Sequence, residues 1–170
     1  SEAAMLLKAL SDFERIGDHA LNLVESAEEL KSKNLALSDA ARHELNVLLR
    51  AVEEIVDMTF RAFRDDDLEK AYRVEPLEQV IDDLKEKMRI HHILRMQQGS
   101  CSIESGFVWS DLLTALERVG DHCSNIAGCL IEITHDSLDM HEYLSGVKKD
   151  NGRFNAYYAS YSDKYQLKEV

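Results

Sequence analysis

At 170 residues, 45% of them hydrophobic, the chain is long enough to bury a sizeable core as one domain, or as one domain with a tail. One Pro, seven Gly and few β-branched clusters point to an all-α fold. A net charge of −12 argues against DNA, RNA or anionic lipid as primary partners, and it means that a phosphate-like anion needs a bound metal ion to be attracted here.

Four long helices are predicted. The first covers residues 2–30 and ends before a Lys/Ser/Asn loop at 31–34. Ser38 is the expected N-cap of the second, whose Ala41, Leu45, Leu48, Val52, Ile55 and Thr59 recur at spacings of three and four, up to a turn at 65–67. The third starts about Leu68, carries Ala71, Val74, Leu77, Val80, Ile81, Leu84 and Met88, and closes before Gly99. Pro76 is expected to kink it or to split it into two shorter helices. The fourth starts at Ser102 or Ser105 and runs through Trp109, Leu113 and Leu116 to about Thr134. Short loops between long helices imply antiparallel neighbours and so an antiparallel up-and-down helical bundle. The tail, 137–170, is expected to turn at 148–152. Phe154, Tyr157, Tyr158, Tyr161 and Tyr165 then form either a short docking helix or a partly ordered terminus.

Within these helices a nine-residue string is repeated. Glu14-Arg15-Ile16-Gly17-Asp18-His19, closed by Asn22, returns 103 positions later as Glu117-Arg118-Val119-Gly120-Asp121-His122, closed by Asn125. The polar residues are kept while the apolar ones vary, which suggests a repeated site more than a repeated core. On a helix Asp18 falls about 40° from Glu14, and Leu7, Leu10 and Leu21 lie within about 40° of it as well. The acid pair therefore edges an apolar stripe. Two carboxylates turned towards an interior at i and i+4 repel each other, and a shared cation relieves them. The third helix holds a comparable pair, Glu78 and Asp82. An ordinary solvated edge paired locally to Arg15 and Arg118 is the plainer alternative.

The other motif residues are more ambiguous. Gly17 and Gly120 suggest close approach by another helix or a bulky ligand, because a mid-helix Gly costs roughly 1 kcal/mol against Ala. His19 and His122 turn away from the acid ridge, so surface or capping roles are expected for them. Cys101, Cys123 and Cys129 show neither CxxC spacing nor an even framework, in keeping with a reducing, cytoplasmic setting. Cys123 takes the slot of Ala20 and reads as a packing residue. No stretch of about 18 uncharged apolar residues exists to span a bilayer. No signal peptide is seen, and the abrupt start on Ala3, Leu6, Leu7 and Leu10 reads as a piece of something longer.

The string Glu-Arg-Ile/Val-Gly-Asp-His-x-x-Asn resembles the signature of the PhoU domain, a helical regulator of bacterial phosphate uptake. The resemblance implies spectrin-repeat-like three-helix repeats, whose later helices carry Glu/Asp-x-x-x-Asp pairs that bind iron, zinc or another divalent metal in some members. It makes 1–136 the bundle: 38–136 is a complete repeat, preceded by the last helix of another. The implied metal ligands are Glu14, Asp18, Glu78, Asp82, Glu117 and Asp121. One partner acid pair is missing from this chain, so a cluster on Glu14 and Asp18 is incomplete and metal can be absent from this piece.

Further, the segment 74–83 and the tail from Met140 to Leu144 with its Tyr-rich end are similar to the C-terminal PhoU-like domain of bacterial sodium/phosphate cotransporters. That implies a regulatory, cytoplasmic domain of an inner-membrane protein, soluble by itself, with the transmembrane portion of a phosphate transporter as partner. Phosphate would bind through the metal; a homo-oligomer is compatible, and no nucleic acid is involved. Two other readings stand beside it. A metal-free helical interaction module would satisfy its acids with Arg15, Arg118 or neighbouring helices. A carboxylate-bridged metalloenzyme is disfavoured, since di-iron bundles place Glu and His at i and i+3, whereas here the spacing is five. The expected role is non-catalytic.

Overall fold

A computed structural model describes residues 1–135 and 140–169, apart from the side chains of 140–151. Five helices follow one another: α1 (Glu2–Ser32), α2 (Asp39–Asp65), α3 (Leu68–Gln97), α4 (Ile103–His135) and α5 (Met140–Lys164). The all-α expectation holds, with no strand among the described residues. Local chemistry sets the helix ends. The Ser38 hydroxyl accepts from the Ala41 amide at 3.2 Å, Asp67 accepts from Lys70 at 3.1 Å, and Ser102 accepts from Ser105 at 3.1 Å. Each such cap is worth about 1 kcal/mol. Asp66 ends α2 in the left-handed region at φ 51°, and Gly99 leaves α3 at φ 72°.

The break considered at Pro76 and the turn expected at 148–152 are both absent. α3 passes through Pro76 unbroken, and the proline ring is fully buried, so packing holds the helix together where one hydrogen bond is lost. The turn expected at 148–152 is instead part of α5. One glycine in a helix costs only about 1 kcal/mol, and the aromatic face that follows repays it by docking. The expected domain boundary at 136/137 lies outside the described residues.

α2, α3 and α4 form an antiparallel three-helix unit. Its centre is a single apolar cluster that includes Leu48 and Ile55 from α2, Val74, Leu77, Ile81 and Met88 from α3, and Trp109, Leu116 and Ile126 from α4. Burying each such side chain contributes roughly 1.5–3 kcal/mol. α1 lies antiparallel along α4, from Asp12 beside Asn125 to Lys33 beside Glu104. It also reaches α2, where Phe13 meets the Phe60 and Phe63 rings at 5.0 and 5.1 Å. α5 runs along α3, with Arg153 on Glu69, and touches α2 through Tyr161, Lys164 and Tyr165. Directions alternate from α1 to α5, as the up-and-down expectation requires. With α1 against α2 and α4, and α5 against α2 and α3, the groove between α3 and α4 is left open. None of the described helices is long and apolar enough to cross a membrane.

Candidate functional site

The open α3/α4 groove holds the acids. Glu78 and Asp82 are one helical turn apart on α3, and α4 carries Asp121 to meet them. One carboxylate oxygen from each lies within 4.8 Å of the other two. Glu78 is 8% exposed, while Asp82 and Asp121 are half-buried. Gly120 faces α3 at this point, but the approach does not require a glycine. A Cβ added to it would lie 3.7 Å from Ile81 Cγ2 and 3.9 Å from Glu78 Cγ, so an alanine would also fit.

Three acids this close cannot all be ionised cheaply. Burial, followed by hydrogen bonding with Asp121 and Asp82, pushes the Glu78 carboxyl from its ordinary value up to about 9. Asp82 is raised as well, by burial first. Asp82 Oδ1 is buried and finds no hydrogen-bond partner among the described residues. Such an oxygen is an acceptor lacking a proton or a cation. Glu117, one turn before Asp121, is ion-paired with Lys85. At neutral pH the group thus retains a proton on Glu78. A donor set of carboxylate oxygens suits hard cations.

Of the six residues expected to ligate metal, the structure brings together Glu78, Asp82 and Asp121 and sets Glu117 beside them, paired to Lys85. Glu14 and Asp18 are elsewhere. Both are exposed on α1 and lie outside the acid group. The physical reason is rotation: α1 packs through Ala9, Asp12, Ile16, His19 and Ser26, a face turned away from the acid pair. The apolar stripe that the pair edges is itself uncovered, with Leu7 69% and Leu10 64% exposed. On α4 the matching stripe is sealed against α2 and α3, Leu113 being 2% exposed. Gly17 shows no close approach, since a Cβ added there meets nothing within 4 Å.

The motif histidines also depart from expectation. His19 is buried, and its ring stacks on His122 with centroids 5.3 Å apart. Asp12 Oδ1 accepts from His122 Nδ1 at 2.8 Å and from Asn125 Nδ2 at 3.2 Å. His19, His122 and Asn125 of the two motif copies therefore join α1 to α4, while Glu117 and Asp121 look across to α3. The signal for this contact was the repeated His and Asn themselves. Asp12, just outside the motif, had none. Cys123 behaves as the packing residue expected, fully buried with its thiol pushed up to about 12 by burial. A second buried polar group, also unsignalled, links α2 to α3: Glu44 accepts from Arg95 Nη1 at 3.0 Å and from His91 Nδ1 at 2.7 Å.

Comparison with known proteins supplies the context. Residues 45–130, which span α2 to α4 and all three clustered acids, match the family model of the PhoU domain. A Thermotoga maritima protein named phosphate-specific transport system accessory protein PhoU homolog 1 is 32% identical over 143 residues, covering 84% of this chain and 60% of that protein. A Deinococcus radiodurans protein named phosphate-specific transport system accessory protein PhoU homolog is 28% identical, over 73% of this chain and 57% of its own length. A similarly named protein of Borreliella burgdorferi is 29% identical, over 76% and 59%. The chain thus spans about three fifths of the length of these relatives. No solved structure matches it significantly.

Proposed function

Because this chain belongs to the PhoU domain family, we propose that it is a non-catalytic regulatory module of bacterial phosphate transport and that it binds a divalent cation through Glu78, Asp82 and Asp121. The observation that carries the cation site is the convergence of these carboxylates from two helices, together with a buried oxygen, Asp82 Oδ1, that has no hydrogen-bond partner among the described residues. Glu117 joins them if Lys85 swings away. A bound cation would neutralise the groove and give phosphate a positive point to approach in a chain of charge −12. Glu14 and Asp18 would take part only where a further helix with its own acids lies against α1.

The partner we propose is the membrane portion of a phosphate transporter, met at its cytoplasmic side. The names of the relatives support a separate accessory protein of a phosphate-specific transport system. They give less support to a domain fused to a sodium/phosphate cotransporter, for which the 74–83 and tail segments are the remaining argument. Elemental analysis of protein purified without chelator tests the cation site. We expect metal bound to the wild type and lost in Glu78→Gln and Asp121→Asn. Retention by both variants, or absence from protein supplied with Mg2+, Mn2+, Fe2+ and Zn2+, leaves a metal-free interaction module as the function.

A further inference from the structure

Two residues before each copy of the repeat the equivalent positions differ, and that difference points to a ligand. Since α1 and α4 are antiparallel with their motifs facing, His19 and His122 meet near an approximate local two-fold axis. Around His122 the space is filled from within, because the Asp12 carboxylate takes hydrogen bonds from both His122 and Asn125. Around His19 the same two donors are present as His19 and Asn22, but the residue equivalent to Asp12 is Ala115. No carboxylate arrives there. Asn22 Nδ2 turns to His19 Nδ1 at 3.4 Å, a long contact, and a cavity of about 400 Å3 opens beside them, lined also by Ala115 and Arg118.

Charge narrows what could enter. Asp111 replaces Lys8, the equivalent residue on the Asp12 side, and with Glu25 it sets two carboxylates against the one guanidinium of Arg118; the third carboxylate of the lining, Glu29, is ion-paired with Lys33 at 2.8 Å. A simple anion would be repelled by that balance; a molecule with a cationic end would not. The volume is within the range of small-molecule sites. Burial, with the neighbouring His122 next, holds the His19 imidazole below its ordinary pKa, so it offers a neutral N–H.

We propose that this cavity binds a small zwitterion of amino-acid size. Its carboxylate sits against His19, Asn22 and Arg118 as Asp12 sits against His122 and Asn125, and its ammonium group faces Glu25 and Asp111. The site is separate from the acid groove and does not depend on metal.

The test is a titration of the whole 170-residue chain with β-alanine, acetate and inorganic phosphate, read from the NMR signals of the His19 ring and the Asn22 side-chain amide. β-Alanine is expected to give saturable shifts at both residues and to bind at least about tenfold more tightly than acetate or phosphate, the difference one further ion pair makes. Ala115→Asp, which installs the missing carboxylate, should abolish the response. Glu25→Gln combined with Asp111→Asn, both at exposed positions that leave the fold intact, should bring β-alanine down to the level of acetate. The proposal is overturned by absence of saturable shifts with β-alanine, by acetate or phosphate binding as tightly, or by undiminished binding in the exposed double variant. Undiminished binding in folded Ala115→Asp overturns it equally.

Discussion

Replacing Glu78 by glutamine separates the proton held in the acid groove from any cation that displaces it. With metal chelated, the folded protein keeps a proton on Glu78 up to about pH 9, whereas the unfolded chain releases it near 4.5. A carboxyl raised in the folded state loses stability as pH rises through that window, by up to about 1.4 kcal/mol per pH unit. By pH 7 the loss reaches about 3 kcal/mol at most. The glutamine side chain has the same shape without the titration. Urea unfolding in chelator, at intervals from pH 5 to 9, should therefore show a steeper fall for the wild type than for Glu78→Gln, with the variant the more stable at pH 8. Adding a divalent cation should reverse that order, because only the wild type gains the stabilisation that a ligand of the native state confers. Parallel pH slopes in chelator would refute the reasoning, as would a variant less stable than the wild type at pH 8.

The remaining predictions concern the helix contacts. Arg95→Met leaves the buried Glu44 carboxylate with His91 alone and should cost about 1–3 kcal/mol in chemical denaturation, most of it recovered when Glu44→Leu is added. Asp12→Ala leaves His122 and Asn125 without their shared acceptor and should cost about 1–3 kcal/mol, whereas Glu14→Gln, at an exposed position, should stay within about 0.5 kcal/mol of the wild type. Tyr165→Phe removes the hydroxyl that donates to Glu54 at 2.8 Å. It should cost about 1 kcal/mol and speed amide exchange in α5 while leaving α2 and α3 protected.

Helix ends were readable because their causes are local. Ser38 and Ser102 cap through side chains only a turn away from the amides they meet, and Gly99 adopts a left-handed turn that its neighbours resist. The acids on α3 and α4 were readable for a similar reason, since i and i+4 spacing places each pair on one face whatever the helix packs against. The docking face of α1 was not. Its leucine stripe outweighs the narrow line of Ala9, Asp12, Ile16, His19 and Ser26 that the fold buries. That line closes only because His122 and Asn125, more than a hundred residues away, offer Asp12 its partners. The helical course of 148–152 was hidden by the opposite bias: Lys, Asp, Asn and Gly look like a turn when the aromatic face beyond them is left out of account.

Asp121 and His122 are consecutive on α4, about 100° apart around its axis, so one rod reaches into two environments at once. Its acidic finger enters the α3 groove, and its imidazole grips α1. With side-chain tips about 5–6 Å from the axis, a roll of about 20° sweeps both through about 2 Å, more than the contact of either can tolerate. Tension applied at the carboxylates is consequently delivered to the histidine clasp, and loosening that clasp slackens the carboxylates in return.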